Sequence, residues 1–239
     1  RTRVVRPSPL ASSYTLETIL DECSQPPAVF TGGRMTFAEP MSGAVEVEFP
    51  APVGRQRPMY TIHSEVLQLS RTYKSKGVEE VSFRIAFGEE FTANLAFLRA
   101  LGLLSSEPLD VRGTKVSPRA VLLALQARLP PPVTEGPLDQ HEVLRAVVVG
   151  GSGGSMQTHV VDCHCTGVPA WNLGLDVDTG SPPSIAVQML QRREITLRGA
   201  VNPEQAIPVV PFFKELEKRG MWIERSVVGS RKAKKRATA

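Results

Sequence analysis

The side chains best suited to chemistry lie in one short segment, Tyr60-Thr61-Ile62-His63-Ser64-Glu65, just after Pro58. The segment combines a phenol, an imidazole and a carboxylate. An imidazole titrates near neutral pH, so His63 can take up and release a proton, while Tyr60 and Glu65 can orient a substrate amine or carboxylate. His63, Tyr60 and Glu65 are therefore the candidate catalytic residues. From the residues alone, a structural histidine whose nitrogens bond within the fold is the favoured interpretation, and a catalytic histidine is the alternative.

A glycine-rich stretch, Val147 to Gly154, imitates the strand and turn of a dinucleotide-binding fold. Such a turn binds pyrophosphate only when a helix follows it, because the amides at the helix N-terminus make the contacts. Here the next segment, Met156 to Cys163, is β-branched and extended, and no acidic residue closes a second strand ~20 residues on. The sequence therefore predicts a β-hairpin with a flexible loop and no cofactor site there.

Four residues resemble zinc ligands: His159, Cys163, His164 and Cys165. Strand alternation places His164 on the opposite face from the two cysteines, and no second ligand pair follows at the usual spacing. We predict no metal site. With Cys23 the chain has three cysteines, an odd number, and the close pair lacks disulfide geometry, so reduced thiols and a cytoplasmic location are expected.

Composition excludes several classes of protein. A chain of 239 residues, 41% of them hydrophobic, can bury a full core, and no apolar run of ~18 residues predicts a membrane span. The net charge of +4 comes from the ends: residues 1–6 and 231–239 hold eight basic residues and no acid. Removing them leaves about −4, so nucleic-acid binding is not expected. The chain opens Arg1-Thr2-Arg3 without Met, which we interpret as the start of a fragment.

Hydrophobic spacing predicts the elements that position these residues. Helices are expected over Thr15 to Cys23, Glu89 to Leu104, Ser117 to Leu129, from Ser181, and over Pro211 to Arg219. Extended segments are expected over Val45 to Phe49, Met59 to Leu69, Val81 to Phe87, Glu142 to Val149, Met156 to Cys163 and Trp222 to Val228. Without regular βαβ alternation, the fold class is α+β with a mixed, largely antiparallel sheet covered by helices on one face.

Several of these stretches, in this order and at this spacing, resemble the saccharopine dehydrogenase family, particularly its lysine 6-dehydrogenase-like members. They are Val47-Glu48-Phe49-Pro50 with Pro52-Val53-Gly54, Tyr60 to Glu65, Val81-Ser82-Phe83-Arg84, Thr179 to Ala186, Arg193-Glu194-Ile195, Pro203-Glu204-Gln205-Ala206 and Pro211 to Leu216. The resemblance spans roughly residues 14 to 226. Two parts depart from it: Trp171 to Val177, and the glycine-rich loop.

The resemblance implies an organisation. In that family a Rossmann domain binding NAD or NADP normally precedes this region and is absent here, so residues 1–43 are expected to be a connector from it. Residues 44–228 are expected to form a substrate-binding and dimerisation domain, and residues 229–239 a basic disordered tail. The implied partners are the Rossmann domain, an amino-acid substrate and a second copy in a homodimer.

The resemblance also implies a reaction. The parent enzyme is expected to interconvert an amine and an imine of a saccharopine- or lysine-type substrate by hydride transfer, with no cofactor bound by this chain alone. By position, Arg84 is expected to hold a substrate carboxylate, and the Thr179-Gly180 amides at a helix N-terminus an anionic group. The rival hypothesis is a non-catalytic binding or assembly module on the same fold.

Overall fold

The computed structural model describes residues 3–6, 10, 14–130, 133–136, 139–152 and 155–232. The chain divides into two compact units, Arg1–Phe49 with Gly54–Gly136, and Pro50–Val53 with Pro137–Ala239. The domain predicted over 44–228 includes residues of both units.

The first unit combines helices with short antiparallel strands. Its helices are α1 (Leu16–Ser24), α2 (Glu65–Thr72), α3 (Glu89–Ala100) and α4 (Pro118–Gln126). Its strands are β1 (Arg3–Arg6), β2 (Ala28–Thr31), β3 (Arg34–Phe37), β4 (Val47–Glu48), β5 (Arg55–Gln56), β6 (Met59–Tyr60), β7 (Glu80–Val81), β8 (Arg84–Ile85), β9 (Leu109–Val111), β10 (Thr114–Val116) and β11 (Val133–Glu135). β2 lies between β3 and β7, and the remaining strands form the pairs β1–β11, β4–β5, β6–β8 and β9–β10.

The core of this unit depends on one amphipathic helix. The buried residues of α1 are Leu16, Ile19, Leu20 and Cys23, and this spacing of three and four residues gives one apolar stripe. They pack with Leu95 of α3 and Leu122 of α4. Each buried Leu or Ile contributes about 1.5–3 kcal/mol relative to exposure. The segment assigned to a connector, 1–43, therefore supplies the centre of a folded unit.

The predicted helices α1, α3 and α4 are confirmed in this unit. The N-terminus of α4 shows the physical reason for its start. The Ser117 hydroxyl accepts a hydrogen bond from the amide of Ala120 at 3.3 Å, and Pro118 occupies the first turn, which is the capping expected from the sequence.

The extended structure predicted for Met59 to Leu69 is wrong after Tyr60, because α2 begins at Glu65. Val66 and Ser70 are its buried residues, one helical turn apart. The strand predicted over Val81 to Phe87 is also divided: β7 pairs with β2, whereas β8 pairs with β6. The predicted segment therefore forms two short strands with different partners rather than one strand.

The second unit contains the longest strands and three helices among the described residues. They are β12 (Glu142–Ser152), β13 (Ser155–Cys165), β14 (Met221–Lys232), α5 (Val177–Gln191), α6 (Pro203–Ala206) and α7 (Val209–Glu217). β13 lies between β12 and β14 in an antiparallel sheet. The predicted hairpin over Glu142 to Cys163 is confirmed. Its loop residues 153–154 lie outside the described part of the chain.

Helices cover one face of this sheet at one end. Cys165 and Met221 are paired across β13 and β14, and both pack against Ile185 and Met189 of α5 and Leu216 of α7. On the opposite face the His164 ring stacks on the Trp222 ring at 4.8 Å between centroids. These contacts agree with the alternation expected for Cys163, His164 and Cys165, because Cys163 packs against the same cluster as Cys165, whereas His164 contacts Trp222. Burial raises the pKa of the Cys163 thiol to about 11.

Taken together, these elements confirm the predicted α+β class with largely antiparallel strands, although the strands of the described residues form six separate sheets. β14 continues to Lys232, past the predicted domain end at residue 228, and residues 233–239 of the predicted tail lie outside the described part. None of the described helices has both the length and the apolar character needed to span a membrane.

Gly43 is a point where only glycine fits. Its φ is +63°, and a Cβ atom placed there would overlap the ring of Tyr60. Gly33 also has a positive φ, +77°, but a Cβ there would meet nothing within 4 Å. Both glycines therefore have a backbone conformation that other residues rarely adopt. Of the two, only Gly43 also lacks the space for a Cβ atom.

We expect Gly43→Ala to lower the free energy of unfolding by about 1–3 kcal/mol more than Gly33→Ala, because it adds a steric overlap to the backbone strain that the two positions share. Urea denaturation of both variants measures the difference. Equal destabilisation would contradict the close packing of Tyr60 on Gly43.

Candidate active site

An open cleft of about 490 Å³ lies in the first unit. Its lining residues come from α1, the β2–β3 hairpin and the segment before α2. They are Thr18, Asp21, Glu22, Pro26, Ala28, Phe37, Ile62, His63 and Ser64. The cleft contains the predicted His63. It also contains acidic side chains of the segment that the sequence assigned to a connector.

His63 is held in the cleft by a ring and a carboxylate. Its ring stacks on Phe83, with centroids 3.8 Å apart and planes 16° from parallel, and its Nδ1 contacts the Glu65 carboxylate at the start of α2. Burial lowers the pKa of His63, so the imidazole is neutral at pH 7. A neutral imidazole whose Nδ1 faces a carboxylate has Nε2 available to accept a proton.

Tyr60 contacts Arg84 rather than His63 or Glu65. The Arg84 guanidinium donates to the Tyr60 hydroxyl, to the Ser82 hydroxyl at 2.8 Å and to the Gly43 carbonyl at 3.1 Å. The guanidinium carbon also lies 4.0 Å from the centre of the Tyr60 ring. Each nitrogen of the Arg84 fork thus already has a protein acceptor. The structure brings His63 and Glu65 together and pairs Tyr60 with Arg84.

Thr179 and Gly180 lie in the second unit, in the first turn of α5. The helix begins at Val177, four residues before the predicted start at Ser181. As a result the Gly180 amide already donates to the Asp176 carbonyl at 3.0 Å. Anion binding to the Gly180 amide would require breaking this bond.

A pair of carboxyl groups further disfavours an anion at this turn. Burial, followed by the charge of Asp178 and a hydrogen bond with it, raises the pKa of Glu142 to about 7. Two carboxyl groups that share a site disfavour each other's ionisation. An anionic ligand at the neighbouring Thr179 would add a further negative charge. The electrostatics of this turn therefore oppose the role that the resemblance implied.

The resemblance of His159, Cys163, His164 and Cys165 to zinc ligands is not supported by the described part of the chain. No group of three or more His, Cys, Asp or Glu side chains is arranged there to hold a metal ion. Instead, His164 lies 3.0 Å from His141, between Nδ1 and Nε2, and Arg145 forms a two-pronged ion pair with Asp162 at 2.7 Å.

Sequence reasoning missed two residues of the cleft region, Glu22 and Phe83. Glu22 follows Ile19 by three residues on α1, so it borders the buried stripe of that helix. This spacing was a usable signal, but it was lost when residues 1–43 were assigned to a connector. Phe83 lies in the extended segment predicted over Val81 to Phe87, and in the structure it follows β7 and stacks on His63.

We expect Glu65→Gln to lower the pKa of His63 further, because the carboxylate stabilises the protonated ring and the amide does not. A titration of the His63 ring protons by NMR measures the change, with Glu90→Gln, at an exposed position on α3, as the control. An unchanged or raised pKa in Glu65→Gln would show that Glu65 does not act on the imidazole.

The chain is similar to a known protein family and to a curated protein. The family model of the saccharopine dehydrogenase C-terminal domain matches residues 6–221. The carboxynorspermidine synthase of Vibrio cholerae is 26% identical over 219 residues, which cover 88% of this chain and 50% of that protein. The chain therefore spans about half of the length of this curated relative. Because the family model matches most of the chain, the chain belongs to the saccharopine dehydrogenase C-terminal domain family.

Proposed function

We propose that this chain is the substrate-side domain of an NAD(P)-dependent oxidoreductase that interconverts an amine and an imine of an amino acid of the saccharopine or lysine type. The main support for the proposal is the neutral imidazole of His63, which contacts the Glu65 carboxylate and lines an open cleft. The chain that contains it belongs to the saccharopine dehydrogenase C-terminal domain family. The relative named as a synthase of carboxynorspermidine supports chemistry at a carbon–nitrogen bond.

His63 is the proposed proton acceptor. A substrate ammonium group must lose a proton before its carbon can give up hydride, since only the free amine has the electron pair that forms the C=N bond. Nε2 of His63 takes that proton, and Glu65 stabilises the imidazolium that results. In the opposite direction the same imidazolium returns the proton to the amine. Tyr60 acts through Arg84 as a positioning residue.

NAD or NADP supplies the hydride chemistry when bound, and we assign its binding to a Rossmann domain outside this chain. Gly150 and Gly151 lie within β12 and pair with Gln157 and Met156 of β13, so they do not lead into the helix N-terminus that receives a pyrophosphate in a dinucleotide-binding turn. The three cysteines are free thiols, which supports the cytoplasmic location that we propose.

A homodimer is the proposed assembly. β12 exposes three consecutive valines, Val147, Val148 and Val149, with 55%, 61% and 62% of each residue accessible. Consecutive strand residues point to opposite faces, so both faces of the hairpin carry exposed apolar surface of the kind that protein contacts cover. This observation also favours the alternative function, a non-catalytic assembly module.

In the product of the complete gene, we expect His63→Gln to lower kcat/KM for nicotinamide-dependent amine oxidation by about 10²–10⁴, the usual size of general-base catalysis. His159→Gln is the matched control, because His159 is an exposed histidine on β13. Absorbance of the reduced nicotinamide measures the rate. The absence of any nicotinamide-dependent turnover with saccharopine, lysine and related amines would reject the oxidoreductase proposal.

We expect Val147→Lys with Val149→Lys, two changes on one sheet face, to dissociate the dimer, because each places a charge in an apolar contact. Sedimentation velocity measures the mass, and Val187→Lys on α5 is the control at an equally exposed valine. A monomer in the unaltered chain at all concentrations would contradict the dimer. A strong dimer whose thermal stability does not respond to amines would favour the assembly module.

A further inference from the structure

The cleft contains two neighbouring carboxylates in unequal situations. Asp21 is paired with Arg119 of α4, whose guanidinium also donates to the Ser24 hydroxyl at 2.9 Å and to the Leu104 carbonyl at 2.7 Å. The Asp21 charge is therefore compensated within the fold. Arg119 also ties α4 to α1 beside the cleft.

Glu22 has no such compensation. Its carboxylate accepts a hydrogen bond from the Tyr14 hydroxyl, and no Lys, Arg or His in the described part of the chain forms an ion pair with it. Burial, opposed by the Tyr14 bond and reinforced by Asp21, raises the pKa of Glu22. Burying the charged form of a carboxylate without a cation is unfavourable, and a cationic ligand would relieve this cost.

The rest of the cleft is consistent with a cationic ligand. Among the described residues its lining includes no lysine or arginine, so a carboxylate ligand would find there no positive partner except a protonated His63. Phe37 presents an aromatic ring that is 72% exposed at the lining, and ring faces attract ammonium groups. The Ile62 amide donates to the Glu22 carbonyl at 3.4 Å, which ties α1 to the segment that carries His63.

We propose that this cleft binds the alkylammonium end of the substrate, with Glu22 as its counter-ion and Phe37 beside it, and that an α-carboxylate of the substrate lies outside the cleft. This inference rests on the proposed function and deepens it. It revises the expected use of Arg84, whose three nitrogens already donate to Gly43, Ser82 and Tyr60.

The cleft then distinguishes ligands by charge. An alkylamine and the side-chain end of lysine both present a bare ammonium group on a methylene chain, which Glu22 and Phe37 can accept. A free carboxylate or an α-amino acid headgroup would bring its negative charge towards Asp21 and Glu22. We therefore expect alkylammonium ions to bind and carboxylates of equal length to be rejected.

Titration of the full chain with n-butylammonium and with butyrate, followed by NMR of the His63 ring and the backbone amides, tests this inference. We expect saturable shifts at His63 and Ile62 with n-butylammonium and none with butyrate. Glu22→Gln keeps the size of the side chain and the acceptor for Tyr14, and we expect it to weaken n-butylammonium binding about tenfold or more, since a charge-assisted bond is lost.

Glu17→Gln is the control, because Glu17 is an exposed carboxylate of the same helix, and we expect it to leave the affinity unchanged. Equal weakening by both variants, binding of butyrate in preference, or no shift with either probe would overturn the assignment of Glu22. None of these results would affect nicotinamide-dependent turnover by the complete gene product, which separately tests the proposed function.

Discussion

The guanidinium of Arg84 joins three segments that are distant in sequence, and the geometry around His63 depends on this contact. Its nitrogens donate to the Gly43 carbonyl before β4, to Ser82 between β7 and β8, and to Tyr60 on β6. An arginine can hold three acceptors at once because its donors lie in a fixed planar fork. Tyr60 then fixes the start of the segment that leads to His63, and the absence of a side chain at Gly43 lets the phenol ring approach the backbone closely.

A second charged contact defines the opposite wall of the cleft. Arg119 neutralises Asp21 and leaves Glu22 as the carboxylate without an internal cation among the described residues. The cleft is therefore acidic on the α1 side, while a neutral imidazole lies on the other side. This combination suits a substrate that arrives as an ammonium ion and must lose a proton, because one wall favours the cation and the other accepts the proton.

The sequence predicted those features that depend on local pattern. Helix α4 followed from Ser117 and Pro118, and the β12–β13 hairpin followed from alternation on either side of the glycines. Tertiary pairing decided what local pattern did not. The segment from Val81 to Phe87 alternates like one strand, yet its two ends pair with different partners. Likewise, the hydrogen-bond acceptors of Arg84 are up to 41 positions away. The spacing of residues in the sequence therefore did not indicate that each guanidinium nitrogen already donates a hydrogen bond within the protein.

The central claim is that the Arg84–Tyr60 contact holds the site together, and a double-mutant cycle on the free energy of unfolding tests it most directly. The cycle compares Arg84→Ala, Tyr60→Phe and the double variant by urea denaturation. We predict a coupling energy of about 1 kcal/mol or more, because the two changes remove the same bond. Effects that add to within about 0.5 kcal/mol would show that the two side chains act independently, which would contradict the account.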